Sequence, residues 1–187
     1  MWFYIGLGIV ILFSFYCWFG IKNAYEKGKI LPLHVSVIIW TVDTIHFLLV
    51  LFASLNSIWP IPFNNIFMLI AGIFMGGIGL IIMLTGIIEF HSFKRMSGLD
   101  SSNLITSGIY KWSRNPQYTG WFFVLIGISL MGRSALALLL TMAFIIGIHL
   151  YNIKLEEPYL ERVFNEEYHR YKLLTPRYIG MPKKKRK

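Results

Sequence analysis

From Trp2 to Ile21 the chain runs without one charged residue. That is length enough for a helix to cross a hydrocarbon core of about 30 Å at about 1.5 Å per residue. Four further apolar segments follow: Leu33–Leu55, Asn65–Ile88, a short Tyr118–Met131, and Ala135–Ile153 after a turn at Gly132-Arg133-Ser134. Only 14% of the 187 residues are charged, against about 25% in soluble domains, and 56% are apolar. The expected fold is therefore all-α, a polytopic integral membrane helical bundle with about five transmembrane segments in a single domain spanning residues 1–187. The fourth segment is short enough to be half of a tight hairpin that does not cross fully. Disorder and collagen are excluded by composition, and a disulfide scaffold by the solitary Cys17. The first segment has neither a basic start nor a small-residue cleavage site, so it is not a signal peptide.

Charge placement orients the bundle. With alternating spans, Arg133 alone among the 18 Lys and Arg falls on one face. The loops and tail carrying Lys22, Lys27, Lys29, Lys94, Arg95, Lys111, Arg114 and the C-terminal cations fall on the other. The positive-inside rule makes that basic face cytoplasmic and puts the N-terminus outside. The tail Pro-Lys-Lys-Lys-Arg-Lys then reads as a solvated string at an anionic leaflet rather than a nuclear address. No nucleic-acid partner is expected.

Ionisable residues at membrane depth are the informative ones. Asp43 and His46 lie three apart on one helical face, either as a substrate or proton site or as polar glue satisfying each other. Gly72, Gly76, Gly77 and Gly79 point to close helix packing rather than to a nucleotide loop, because no strand precedes them. The histidines His34, His46, His91, His149 and His169 form no i,i+4 pair, so no metal site is expected. Neither a Gly-x-Ser-x-Gly elbow nor room for a soluble cofactor fold exists. Chemistry must then use groups at the basic ends of the helices.

Two clusters qualify. In Gly108–Trp121, Pro116 suits a first helical position with Asn115 as its N-cap. Arg114 beside that helix start makes a place for a carboxylate or phosphate, with Trp112 and Trp121 as interfacial anchors. In Leu155–Tyr171, Pro158 is expected to interrupt the fifth span and restart a helix. Leu160, Val163, Phe164, Tyr168 and Tyr171 then give a C-terminal amphipathic helix. Glu156 and Glu157 fall at the bend, and His149, Asn152 and Glu156 are spaced to share one face.

The run Leu104-x-x-x-Gly108-x-Tyr110-x-x-x-Arg114-x-Pro116-x-Tyr118 is followed by Glu156-Glu157-x-x-Leu160-x-x-x-Phe164-x-x-x-Tyr168-x-x-Tyr171. Together they resemble the isoprenylcysteine carboxyl methyltransferase family. More broadly they resemble membrane methyltransferases acting on phospholipid amines or thiols. The likeness covers about half the chain, from near Gly86 to Tyr178. It implies a methyltransferase-like core over 65–187 and N-terminal spans over 1–64. It further implies S-adenosylmethionine (SAM) bound at the cytoplasmic side, with a lipophilic small molecule or lipidated substrate arriving laterally from the membrane lipid.

Carried over, Leu104, Gly108, Ile109, Tyr110, Arg114, Asn115, Pro116, Tyr118, Glu156 and Glu157 would line the cofactor. Arg114 would orient the cofactor carboxylate or an anionic acceptor group, and Glu157 would bind the cofactor's amino or ribose groups. Many carboxyl methyltransferases have His after the Arg, whereas Asn115 here can hydrogen-bond but not titrate near neutrality. A prenylcysteine-type carboxylate is the expected acceptor, with phospholipid N- or thiol S-methylation as alternatives. An NADPH-dependent membrane reductase and a non-enzymatic membrane protein using Asp43 and His46 are readings of other classes. The expected host is the cell (inner) membrane.

Overall fold

The computed structural model describes residues 1–90, 94, 97–100 and 102–183. His91, Arg95 and the tail residues 184–187 lie outside the described residues. The helices are α1 (Trp2–Glu26), α2 (Leu33–Leu55), α3 (Asn65–Phe90), α4 (Pro116–Met131), α5 (Ala135–Tyr151) and α6 (Glu157–Leu174), with a 3₁₀ turn at Gly108–Lys111. Among the described residues, extended pairing is limited to one isolated bridge, Pro60 to Ser134. The protein is an all-α membrane bundle.

Each helix begins where local chemistry permits. Pro32 holds extended backbone in front of α2, as its ring and missing N–H favour. The Asn64 side chain accepts the N–H groups of Ile66 (2.9 Å) and Phe67 (3.1 Å), capping α3. Ser134 caps α5 by accepting the Ala137 N–H at 3.1 Å. Helix α1 outruns its uncharged stretch to Glu26, supported by Lys22–Glu26 at 3.8 Å one turn apart. Helices α1, α2, α3 and the helical run Ala135–Leu174 are long and apolar enough to cross a membrane. At 16 residues α4 reaches only about 24 Å, the short fourth segment of the sequence.

Glycines set the tightest seam, between α3 and α4. A Cβ on Gly79 would stand 2.6 Å from the Gly120 carbonyl oxygen, and one on Gly72 2.6 Å from that of Gly127. Backbones in that contact leave no space for side chains, the small-residue packing of membrane helices. Gly77 has open space instead and takes no part.

Both ends of the bundle are stitched. At one end Ser134 Oγ donates to Ile58 O (2.7 Å), Arg133 Nη2 to Ile61 O (3.0 Å) and Ile61 N to Arg133 O (2.8 Å). At the other, Leu31 N donates to Gly98 O (3.0 Å) and Ser36 Oγ to Ser97 O (2.9 Å). Arg133 thus sits at the end opposite the other described cations, as charge alternation requires.

Three expectations need correction. Pro158 does not interrupt the chain's helical course. One wide turn, Asn152–Glu156, lets the Glu157 N–H reach Asn152 O five residues back, and the helix resumes with Pro158 in its first turn. Proline lacks only its own N–H, so a π-turn just before it accommodates the ring without ending the helix. Asp43 and His46 do not satisfy each other: His46 Nε2 lies 3.1 Å from Leu140 O on α5, and its ring stacks on Phe144 at 4.7 Å. Trp121 packs inward against Phe47 at 5.4 Å instead of anchoring at an interface, while Trp112 is exposed.

Candidate functional site

The basic ends of α3 and α4, the 3₁₀ turn, the π-turn, α6 and the segment after it converge on one buried cluster. Its turn is shaped by Gly108, whose φ of +50° suits a residue without Cβ. A Cβ there would collide with the Glu89 carboxylate, whose Oε1 accepts the Ile109 N–H at 3.2 Å. Tyr110 is buried beneath, and the Tyr171 hydroxyl donates to its carbonyl at 2.7 Å. Leu104, Ile105, Ile109, Leu160 and Phe164 pack on this Tyr110–Tyr168–Tyr171 group. The apolar face of α6 is therefore seated on protein. A break at Asn165, with φ of +44°, divides that helix.

At the centre Arg114 Nη1 stands 3.0 Å from Glu157 Oε1, with side chains only 7% and 5% exposed. Arg177 grips the same carboxylate with two forked bonds, Nε to Oε1 at 2.6 Å and Nη2 to Oε2 at 3.0 Å. Lys172 adds a third cation at 3.4 Å and also bonds Glu161 at 2.8 Å. Burial alone would raise the Glu157 pKa. The Arg177 hydrogen bond and the charges of Arg114, Arg177 and Lys172 outweigh it and hold the carboxyl below the ordinary range. Tyr168 accepts from Arg114 Nη1 at 3.4 Å.

Arg114 Nε and Glu156 Oε2 are closed off from solvent here without a partner, as are both side-chain polar atoms of Asn152 on the π-turn. Each orphan costs about 1–3 kcal/mol. Glu156 lies past the apolar stretch of α5, where burial first and the Glu157 charge second raise its pKa to about 7. A cleft of about 300 Å³, lined by Arg114, Glu161, His169, Lys172, Leu173 and Lys183, opens beside the cluster.

Residues 175–183 form a strap across it. Arg114 N donates to Pro176 O (2.9 Å) and Gly180 N to Trp112 O (3.1 Å). The Tyr178 hydroxyl lies 2.9 Å from His149 Nδ1, and its ring meets Phe122 edge-on at 5.9 Å. Asn115 stands at the N-cap position of α4, but its side chain does not cap. Its Nδ2 donates to Arg177 O at 3.2 Å. The helix start is thus shared between the strap and Pro116.

The structure brings Arg114 and Glu157 into contact, with Glu156 beside Glu157 at the end of the π-turn, Asn115, Pro116 and Tyr118 on the adjoining helix start and Leu104, Gly108, Ile109 and Tyr110 on the adjoining turn. Sequence reading missed Glu89 and Arg177. Glu89 announces itself only as an acid closing an apolar helix. Arg177 lies twenty residues beyond Glu157, and no periodicity links the two.

A family model described as phospholipid methyltransferase matches residues 67–167. Curated relatives carry the name protein-S-isoprenylcysteine O-methyltransferase. The Xenopus laevis protein is 34% identical over 54% of this chain and 34% of its own length. That of Saccharomyces cerevisiae is 36% identical over 44% of this chain and 36% of its own. The human protein is 28% identical over 68% of this chain and 45% of its own. The chain thus spans a third to under half of these relatives' lengths. No solved structure matches. The match from the first turn of α3 into α6 encloses Arg114 and Glu157, and the chain belongs to the phospholipid methyltransferase family.

Proposed function

We propose that the chain is a SAM-dependent methyltransferase of the membrane, working at the cytoplasmic side on a lipophilic acceptor whose methylated group is a prenylcysteine-type carboxylate. One observation carries the reading: a buried unpartnered guanidinium nitrogen on Arg114 and a buried unpartnered carboxylate oxygen on Glu156, at one end of a membrane bundle. That donor and acceptor suit a zwitterion, and the amino-acid end of SAM is one. SAM supplies an electrophilic methyl group when bound.

The chain's own groups do the positioning. Arg114 Nε would receive the donor's carboxylate, and Glu156 would face its cationic part. Glu157, with every oxygen engaged by cations, fixes the plane of Arg114 instead of binding the donor directly. Tyr168 steadies the same guanidinium. Leu104, Gly108, Ile109 and Tyr110 wall the turn, with Asn115, Pro116 and Tyr118 on the helix start. A carboxylate nucleophile needs no general base, only in-line placement at about 3–3.5 Å from the methyl carbon. Lateral arrival from lipid suits an acceptor with a prenyl chain.

The family description favours a second acceptor, a phospholipid amine. Purified protein given methyl-labelled SAM with a farnesylcysteine analogue and with phosphatidylethanolamine separates the two. We expect a base-labile methyl ester on the farnesylcysteine. Label stable to base on the amine lipid would replace the carboxylate by the amine, and no transfer to either would reject the function.

A further inference from the structure

The strap over the cluster lies beyond residues 67–167, the span of the family match. It nevertheless holds both partners of the buried ion pair. Its backbone flanks Arg114: Pro176 O accepts the Arg114 N–H at 2.9 Å, while Arg177 O accepts from Asn115 Nδ2 at 3.2 Å and Ser113 Oγ at 3.4 Å. The Arg177 side chain then crosses to Glu157 and closes a fork on it at 2.6 and 3.0 Å. Farther along, the Tyr178 hydroxyl lies 2.9 Å from His149 Nδ1, and Lys183 N donates to Leu174 O at 2.8 Å. The strap is thus tied to α5, to α6 and to the run before α4.

Glu157 Oε1 serves two guanidinium groups, Arg177 Nε at 2.6 Å and Arg114 Nη1 at 3.0 Å. A forked pair engages both carboxylate oxygens in one geometry and so sets the carboxylate plane. The direction in which Oε1 meets Arg114 follows from that plane. Because a guanidinium is planar and rigid, holding Nη1 also holds the heading of Nε. That Nε is buried and unpartnered, on a side chain only 7% exposed. Lys172, at 3.4 Å, acts as a point charge and fixes no plane. Arg114 and Lys172 already neutralise Glu157, so charge balance does not call for Arg177. Orientation does.

We propose that Arg177 is a positioning residue of the donor site: acting through Glu157, it holds Arg114 with Nε facing the donor's carboxylate, and so makes the strap part of that site. This rests on the methyltransferase reading, in which Arg114 receives that carboxylate. It adds a residue outside the matched span that touches no ligand, since its Nε and Nη2 are both spent on Glu157.

The test uses the full chain in detergent and reads dissociation constants for SAM and for decarboxylated SAM, which lacks only the carboxylate. Wild type should bind SAM about tenfold or more tightly than the decarboxylated ligand. Arg177→Gln should weaken SAM binding about tenfold or more and leave the decarboxylated ligand within about twofold. With Glu157→Gln already in place the route to Arg114 is cut, so adding Arg177→Gln should cost SAM less than about twofold. Equal losses for the two ligands, unchanged SAM affinity, or a full loss that persists beside Glu157→Gln overturns the proposal.

If a Gln variant does not fold, Arg177→Lys decides, because it keeps the charge and gives up the fork. SAM should then weaken about threefold or more with the decarboxylated ligand spared, and any smaller loss overturns the proposal. Wild type that binds the two ligands alike also overturns it, yet leaves the methyltransferase reading standing. Wild type that binds neither defeats that reading itself.

Discussion

Arg114 and Glu157 are 43 positions apart in sequence and 3.0 Å apart in space. Breaking such a buried pair strands a charge and costs about 3–5 kcal/mol. Glu157→Gln should therefore lower the thermal midpoint at neutral pH by several degrees. The folded pKa of Glu157 is depressed, so its contribution is present above the ordinary carboxylate range and lost as pH falls through and below it. Thermal melts of wild type and variant at stepped pH should converge on acidification, and a gap independent of pH would contradict the ion-pair role.

Glu156 behaves in the opposite sense. Its pKa is raised to about 7, and a bound cation favours the deprotonated form. SAM affinity should rise as pH climbs toward about 7 and level off above it. Glu156→Gln should bind weakly at every pH, with that slope abolished. Isothermal titration across pH 5.5 to 8.5 reads both. At this scale Arg114, Glu156 and Glu157 were readable because they sit in a recognisable run. Arg177 and Glu89 were not, since their roles depend on a strap and a left-handed turn that no spacing encodes.

Among the elements, the α3–α4 seam makes the sharpest claim. Gly79→Ala forces a methyl against the Gly120 carbonyl, while Gly77→Ala meets nothing. Overpacking of that kind costs about 1–3 kcal/mol. The first variant should melt several degrees lower and the second within about a degree of wild type. Equal melting would dismiss the seam.

Helix α2 could be read to its last residue, Leu33–Leu55, because Pro32 and Asn56 punctuate it. The passage from α5 into α6 could not. Pro158 signals a break, and only the wide turn before it turns that signal into a continuous helix. Amphipathic spacing in α6 was visible, but not whether its apolar face meets lipid or protein. The tyrosines of the 3₁₀ turn decide that in favour of protein.

At the level of the whole molecule, composition alone indicated a membrane bundle, and alternation of charge indicated which helix ends share a face. The two stitched ends agree with that alternation. What stayed hidden was how the N-terminal spans meet the half that the family model matches: Phe47 of α2 packs on Trp121 of α4, and Tyr25 of α1 stacks on Tyr159 of α6.

The central claim is that a donor docks between Arg114 and Glu156 at the basic end of this bundle. Titration of the purified full-length chain with SAM, beside Arg114→Ala, tests it most directly. Truncating one partner of a buried charged hydrogen bond costs about 2–5 kcal/mol, about 30-fold or more in affinity. We predict saturable one-site binding in wild type and at least that loss in a folded Arg114→Ala protein. Absent saturation in wild type, or equal affinity in the two proteins, would contradict it.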